Sequence, residues 1–251
     1  MIKYWIRLFF LPYFLIASPL DIYKEHLEWG TYQGQNWSTL PRLPKSRYDT
    51  FQFAFDYFER NGGKVVVELG TSRSFNHGGL IGCNSDDVSY WKPDQPETWD
   101  WGAGFFTRMA AVCLSHLSPK IHTVDLIPNH IARCKIMTAD FKHIISYHVK
   151  DSVTFLKECN FLQGIDLLYL DTGDMTPIEP SAVLQLKEVK MVIERNLMAK
   201  GGLILLDDVK NRTPKEFGEK GDLGKSKYSL PFLLDHGFKI IMDEYQVVLQ
   251  K

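Results

Sequence analysis

The sequence lacks several features that would place it in a specialised class of protein. Its four cysteines form no Cys-X-X-Cys pair, which argues against a zinc cluster or a thioredoxin-type motif. Neither charge dominates, because 29 Lys and Arg residues face 30 Asp and Glu residues, so the composition gives no reason to expect nucleic acid as a partner. No apolar run reaches the roughly 20 residues of a transmembrane helix. What remains is a chain of ordinary globular composition, whose 251 residues suit one large α/β domain or two small ones.

The first 20 residues have the pattern of a targeting segment. Lys3 and Arg7 precede an almost wholly apolar stretch from Leu8 to Ala17. A positive start followed by roughly ten apolar residues is typical of a secretory signal peptide. The alternative is an uncleaved leader that contacts a membrane or packs on the protein. We therefore predict that residues 1–20 direct export or membrane association; if they do neither, the protein is expected in the cytoplasm. Residues 21–47 are treated as an N-terminal extension.

From residue 48 onward, strand-like and helix-like patterns alternate. Tyr48 and three phenylalanines that follow at three- and four-residue spacing predict a helix. Short apolar runs typical of buried parallel strands come next, at Lys64–Leu69, Lys120–Asp125, His143–Val149, Ile165–Asp171 and Leu203–Asp207. Two last runs, Lys239–Met242 and Gln246–Leu249, lie so close together that they favour an antiparallel hairpin. The prediction for residues 48–251 is one α/β domain, doubly wound around a mostly parallel seven-stranded sheet with a C-terminal antiparallel hairpin.

Two segments interrupt this alternation. Residues 76–101 are much longer than the usual connection in an α/β unit and contain several glycines, prolines and aromatic residues. They are predicted to be a lid or substrate loop, although the aromatic residues could equally anchor the loop to the domain. Gly218–Lys227 contains three glycines and three lysines, and we interpret it as a solvated turn in preference to a flap over a substrate.

The first predicted strand ends in Glu68-Leu69-Gly70-Thr71-Ser72. An acidic residue, one intervening residue and a glycine at this place resemble the first motif of class I S-adenosylmethionine (SAM)-dependent methyltransferases. The resemblance implies that Gly70 turns beside the methionine part of SAM, that Ser72 and Ser74 leave room for it, and that Glu68 accepts hydrogen bonds around its ammonium group. Ser72 and Ser74 stand where this family often has further glycines.

Aspartates follow the next two predicted strands. In the methyltransferases that the sequence resembles, an acidic residue at the end of the second strand binds the SAM ribose, which assigns that role to Asp125. A polar residue after the third strand reads the adenine amino group, which makes Asp151 a candidate. Either aspartate could instead cap the helix that follows it.

Three more aspartates follow the fourth and fifth predicted strands. Asp171, Asp207 and Asp208 resemble the metal ligands of catechol-type O-methyltransferases, and three hard oxygens suit Mg²⁺ or another divalent cation. Asp174 stands where those enzymes have a lysine, so the general base is open between Asp174 and His77. Asp171 and Asp174 are the catalytic candidates. Asp171 also lies where it would line the cofactor site. The alternative is that Asp207 and Asp208 are ordinary strand-end or capping residues.

The order of these motifs predicts a SAM-dependent methyltransferase of the EC 2.1.1 class. The expected reaction is O-methyl transfer to a small hydroxylated acceptor, either with or without the assistance of a divalent metal. An NAD(P)-binding Rossmann oxidoreductase is the first alternative, but the Gly-X-Gly-X-X-Gly pattern it requires does not follow Gly70. The second alternative is an exported SAM-fold protein without catalysis. The sequence defines neither the acceptor nor the oligomeric state.

Overall fold

The computed structural model describes residues 17–29, 31–32, 35–36, 47–71, 92–96, 99, 105–174, 177–209 and 223–251. Ser72, Ser74 and most of the 76–101 insertion lie outside these residues, so the predictions made for them stay predictions.

Within the described residues, a 3-10 helix (Pro19–Tyr23) precedes the other elements. These are, in chain order, α1 (Lys24–Trp29), β1 (Thr31–Tyr32), β2 (Gln35–Asn36), α2 (Arg47–Arg60), β3 (Val65–Leu69), α3 (Phe106–Leu114), β4 (Lys120–Asp125), α4 (Pro128–Met137), β5 (Ile145–Val149), α5 (Ser152–Glu158), β6 (Ile165–Leu170), α6 (Ile178–Glu194), β7 (Met198–Leu206), α7 (Ser229–Asp235), β8 (Lys239–Asp243) and β9 (Val247–Gln250). Short 3-10 turns follow α3 and α4, and another, Gly224–Ser226, precedes α7.

Seven of these strands form one sheet in the order β5-β4-β3-β6-β7-β9-β8, while β1 and β2 pair separately. The first five strands across the sheet are parallel, and β9 runs antiparallel to β7 and β8. The predicted mostly parallel sheet with a terminal antiparallel hairpin is confirmed. Because β4 follows on one side of β3 and β6 lies on the other, the winding reverses at β3. Open α/β sheets bind their ligands at such a reversal, beyond the carboxyl ends of the strands.

The side chains of alternate residues in the central strands pack into two hydrophobic cores, one on each face of the sheet. Val66 of β3 packs with α2 and α3, whereas Val65 and Val67 pack on the opposite side with α5 and α6. This alternation is what a pleated strand buried on both faces requires. On the α2 side the ring of Phe106 stacks on that of Tyr169, with 4.3 Å between the ring centroids. The two cores hold the carboxyl edge of the sheet in a fixed geometry.

The segment before α2 also packs on the domain. Leu20, Tyr23 and Leu27 are buried in the same core as α2. Ser18 caps the 3-10 helix, since its hydroxyl accepts a hydrogen bond from the Leu20 amide and its own amide donates to Asp21. The predicted leader and extension therefore each contain residues that fold against the main body. Among the described residues, no helix combines the length and apolar character that crossing a membrane requires.

Candidate active site

The predicted functional carboxylates meet at one edge of the sheet. Glu68 lies near the end of β3, Asp125 ends β4, Asp151 follows β5, Asp171 follows β6, and the Asp207-Asp208 pair follows β7. Because these five strands are parallel, their carboxyl ends lie side by side. The edge therefore collects acidic side chains that are up to 140 positions apart in the sequence.

Glu68 is fully buried at this edge. One carboxylate oxygen accepts hydrogen bonds from the hydroxyl groups of Thr107 and Thr123, the latter at 2.5 Å. Among the residues that the structure describes, the other oxygen, Oε1, is buried without a hydrogen-bond partner. Burial raises the pKa of Glu68 to about 7, although the threonine hydroxyls oppose this shift. A buried carboxylate oxygen that no donor of the described residues contacts has room for a cationic ligand group, and the cofactor role of Glu68 stays a prediction.

Gly70 has a positive φ of 87°. A Cβ atom at this position would lie 2.4 Å from the backbone oxygen of Asp171, which is too close for any side chain. The backbone amide of Gly70 donates to the Val124 carbonyl at 2.9 Å, and the Asp171 amide donates to the Leu69 carbonyl at 2.9 Å. The glycine thus lets β3 end in close contact with β4 and β6. This packing requires a glycine at position 70 whether or not a cofactor also contacts it.

Asp125 is engaged with the start of α4. Its Oδ1 accepts a hydrogen bond from the Ile127 amide at 2.7 Å, and its Oδ2 lies 3.1 Å from Nδ1 of His130. The capping alternative is not observed in this form, because Ile127 is the N-cap of α4 and no side chain of the described residues caps it, but Asp125 does contact the turn before the helix and its first turn. A carboxylate has capacity for further donors, and ribose binding by Asp125 stays a prediction.

Asp151 is the N-cap of α5. Its Oδ1 accepts a hydrogen bond from the Thr154 amide at 2.8 Å. Such a cap satisfies one of the amides that a helix start leaves unpaired. The capping alternative for Asp151 is therefore observed, and adenine recognition stays a prediction beside it.

Replacing Asp151 with alanine should lower the free energy of unfolding by about 1 kcal/mol, because the Thr154 amide loses its acceptor. Asparagine caps a helix as well as aspartate does, so Asp151→Asn should leave the stability nearly unchanged. Urea unfolding of both variants measures the difference. An equal loss of stability in the two variants would contradict the capping role.

The three aspartates predicted as metal ligands do lie together. One oxygen of each of Asp171, Asp207 and Asp208 falls within 4.8 Å of the others. Asp174, the other catalytic candidate, lies beyond Gly173, and its backbone carbonyl accepts a hydrogen bond from Ser181 at 2.7 Å. The predicted juxtaposition of the triad is thus confirmed, and its surroundings decide what it can bind.

Arg47 occupies one side of the triad. Its Nε lies 3.2 and 3.1 Å from the two carboxylate oxygens of Asp207, and its Nη2 lies 3.0 Å from Asp207 Oδ2. Asp207 also accepts hydrogen bonds from the Tyr169 hydroxyl at 2.6 Å and from Gln246 at 3.0 Å. Its Oδ1 accepts one more from the Asp208 amide at 2.8 Å. Asp207 is fully buried and both of its oxygens are engaged.

Lys225 occupies the other side. Its ammonium lies 2.7 Å from Asp171 Oδ1 and 2.9 Å from Asp208 Oδ2, and its side chain is 1% exposed. The remaining oxygen of Asp208 accepts a hydrogen bond from the Tyr245 hydroxyl. Three carboxylates therefore share two buried cations, Arg47 and Lys225. These cations oppose the effect of burial on Asp208 and hold its pKa below the usual range, whereas burial raises the pKa of Asp171 despite the nearby Lys225.

This arrangement does not fit a divalent metal. A metal bound by Asp171 and Asp208 would need the oxygens that the Lys225 ammonium holds, and the oxygens of Asp207 are engaged by Arg47, Tyr169 and Gln246. Two cations also repel each other strongly in a buried site of low dielectric constant. The triad is therefore organised around side-chain cations.

The interpretation of Gly218–Lys227 as a solvated turn was wrong for Lys225. The Gly224–Ser226 turn packs on α6, where Gln185 Oε1 accepts hydrogen bonds from Ser226 and Ser229. Arg47 was likewise missed, because it was assigned to the N-terminal extension, whereas it begins α2. The only sequence signal for Lys225 was that three lysines lie close together in this short segment.

Comparison with solved structures identifies the fold as that of SAM-dependent methyltransferases. A SAH-bound methyltransferase, PaMTH1 from Podospora anserina, is similar at 12% identity and a TM-score of 0.51, with 92% of this chain and 93% of that chain covered. A putative caffeoyl-CoA O-methyltransferase from Staphylococcus aureus is similar at 13% identity and a TM-score of 0.51, with 93% and 92% covered. The O-methyltransferase TomG from Streptomyces achromogenes, in complex with SAM, is similar at 12% identity and a TM-score of 0.51, with 93% and 95% covered.

No protein-family model matches the sequence, and no curated protein matches it either. The likeness to these structures lies in the fold, so the function has to be inferred from the residues at the carboxyl edge of the sheet.

Proposed function

We propose that this chain is a SAM-dependent methyltransferase that transfers a methyl group to an oxygen of a small hydroxylated acceptor. The observation that supports this most directly is the buried Glu68 oxygen that has no hydrogen-bond partner within the described part of the chain. It lies at the end of β3, where the winding of the sheet reverses. A buried carboxylate is costly unless a cation or donor pairs with it, and the ammonium of SAM is such a partner.

The other cofactor contacts follow the order of the strands. Gly70 would allow close approach at the end of β3, Asp125 would accept hydrogen bonds from the ribose hydroxyls, and Asp151 would read the adenine. Asp171, directly beside Gly70, would line the same site. Ser72 and Ser74 complete the proposed set.

SAM, when bound, supplies a methyl group made electrophilic by a positively charged sulfur. The protein would hold the acceptor oxygen in line with that methyl group and exclude water. Asp171 and Asp174 are the proposed proton acceptors for the hydroxyl group, and burial raises the pKa of Asp171, which favours proton uptake near neutral pH. The O-methyltransferases among the similar folds support oxygen as the acceptor atom.

Calorimetry of the purified protein with SAM, SAH and NAD tests the cofactor. We expect SAM and SAH to bind and NAD to give no heat of binding. NAD binding without SAM binding would contradict the proposal and favour an oxidoreductase. Transfer of a labelled methyl group to a panel of catechols, phenols and amines tests the reaction, and SAM binding without transfer to any acceptor would favour a non-catalytic SAM-fold protein.

Asp125→Asn should weaken SAM binding about tenfold or more, because a ribose hydroxyl loses a charged acceptor. Asparagine keeps an oxygen for the Ile127 amide, so the start of α4 should be preserved. Asp166→Asn is the matched control, since Asp166 accepts hydrogen bonds from the Lys64 and Val65 amides at the opposite edge of the sheet. Calorimetry with SAM compares the two, and equal affinities would argue against the ribose contact.

A further inference from the structure

Lys225 stands where the resemblance to catechol-type enzymes would place a metal ion. Its ammonium bridges Asp171 and Asp208, at 2.7 and 2.9 Å, and lies 3.5 Å from the backbone oxygen of Gly173. These three oxygens use all three donor directions of an ammonium group. The cation is therefore saturated by the ends of β6 and β7.

The position of Lys225 is fixed by the fold around it. Ser226 and Ser229 are both buried, and both donate to Gln185 Oε1 of α6, Ser226 at 2.7 Å. Lys225 itself is 1% exposed. By contrast, Lys227 lies two residues later, is about one-third exposed, and pairs with exposed Glu179 at the surface. The turn thus delivers one lysine into the carboxylate cluster and leaves its neighbour in solvent.

We propose that Lys225 is the resident cation of this site, that it takes the place of a divalent metal, and that it positions Asp171 and Asp208 for a metal-independent reaction. This inference rests on the proposed function, because the reaction concerned is the methyl transfer. Lys225 is a positioning residue: its ammonium orients the carboxylate of Asp171 beside Gly70, where the cofactor is expected. Mg²⁺ would need near-octahedral oxygen coordination, and the Lys225 ammonium holds the required oxygens.

Removing the ammonium should create a metal site that the natural protein lacks. Lys225→Met keeps the length of the side chain and frees the oxygens of Asp171 and Asp208. Electron paramagnetic resonance of Mn²⁺ measures the binding. We expect Mn²⁺ to bind Lys225→Met at least tenfold more tightly than it binds the wild-type protein or the control variant Lys227→Met. Adding Asp208→Asn to Lys225→Met should abolish the gained site.

The wild-type protein provides a second measurement that does not depend on the folding of any variant. Its methyl transfer should be unchanged by a chelator and by added Mg²⁺. Mn²⁺ binding to the wild type that is lost in Asp208→Asn, or loss of transfer on chelation, would overturn the inference. A folded Lys225→Met protein that binds no Mn²⁺ would also overturn it. Mn²⁺ binding requires neither SAM nor turnover, so a failure of SAM binding would overturn the proposed function separately.

Discussion

Replacing Arg47 with methionine should lower the free energy of unfolding by about 3–5 kcal/mol, the range for removing one partner of a buried ion pair. Asp207 would then keep a negative charge in a site with no exposure to solvent. Its remaining partners, the Tyr169 hydroxyl, the Gln246 side chain and the Asp208 amide, are neutral donors and do not balance that charge. Arg47 also faces the ring of Tyr245, with 4.8 Å between the guanidinium carbon and the ring centroid. Methionine fills much of the same volume, so the loss reports chiefly on the charge.

Arg60→Met is the matched control. Arg60 ends the same helix, and its guanidinium donates to the Asp56 carbonyl at the exposed surface. Its replacement should change stability by no more than about 0.5 kcal/mol. Adding Asp207→Asn to Arg47→Met should restore part of the lost stability, because the unpaired charge is removed. Urea unfolding of the four proteins supplies the measurement, and an Arg47→Met loss as small as that of Arg60→Met would contradict a structural ion pair.

The fold was largely predictable because its signals are local. The period of apolar residues identified the central strands, and parallel strands bring their carboxyl ends together without any further information. The boundaries that differed have local causes. The predicted strand starts at Leu203, but β7 begins already at Met198, with a register irregularity against β6 that accommodates Gly201 and Gly202. Helix α6 begins at Ile178 although Pro180 follows two residues later, because proline is tolerated in the first turn of a helix.

The cations of the site were not predictable in the same way. Arg47 and Asp207 are 160 positions apart, and Lys225 and Asp171 are 54 apart. No periodicity connects such pairs, because their contact depends on how α2 and the Gly224–Ser226 turn pack on the finished sheet. A lysine is usually exposed, so composition favoured the wrong interpretation of Lys225. The positions of the carboxylates could be predicted from the order of the strands. The positions of Arg47 and Lys225, which neutralise them, depend on tertiary packing.

Glu68→Gln should change both stability and SAM binding, and both effects should depend on pH. Burial raises the pKa of Glu68 from 4.5 to about 7. A raised pKa in the folded state stabilises the protein below the unfolded-state pKa, and that contribution is lost as the pH rises through the folded-state value. Between about pH 4 and about pH 8 the wild type should therefore lose about 3 kcal/mol relative to the glutamine variant. Urea unfolding across this range measures the difference.

SAM binding should show the opposite preference. The ammonium of SAM favours the ionised form of Glu68, so the affinity of the wild type should rise up to about tenfold per pH unit and level off near pH 7. Glutamine has no charge to offer, so Glu68→Gln should bind SAM weakly at every pH, without this rise. The amide oxygen can still accept from Thr107 and Thr123, which preserves the local packing.

Glu188→Gln separates the two effects of Glu68→Gln. Glu188 is also buried, its pKa is also raised to about 7, and it accepts hydrogen bonds from Ser152 and Thr172. Its replacement should reproduce the pH-dependent gain in stability and leave the pH dependence of SAM binding unchanged. If both variants altered SAM binding alike, the effect would come from general changes in stability, and Glu68 would have no specific contact with the ammonium. If only Glu68→Gln alters the pH dependence of SAM binding, Glu68 must contact the ammonium, because the charge, burial and pKa of Glu68 and Glu188 are matched.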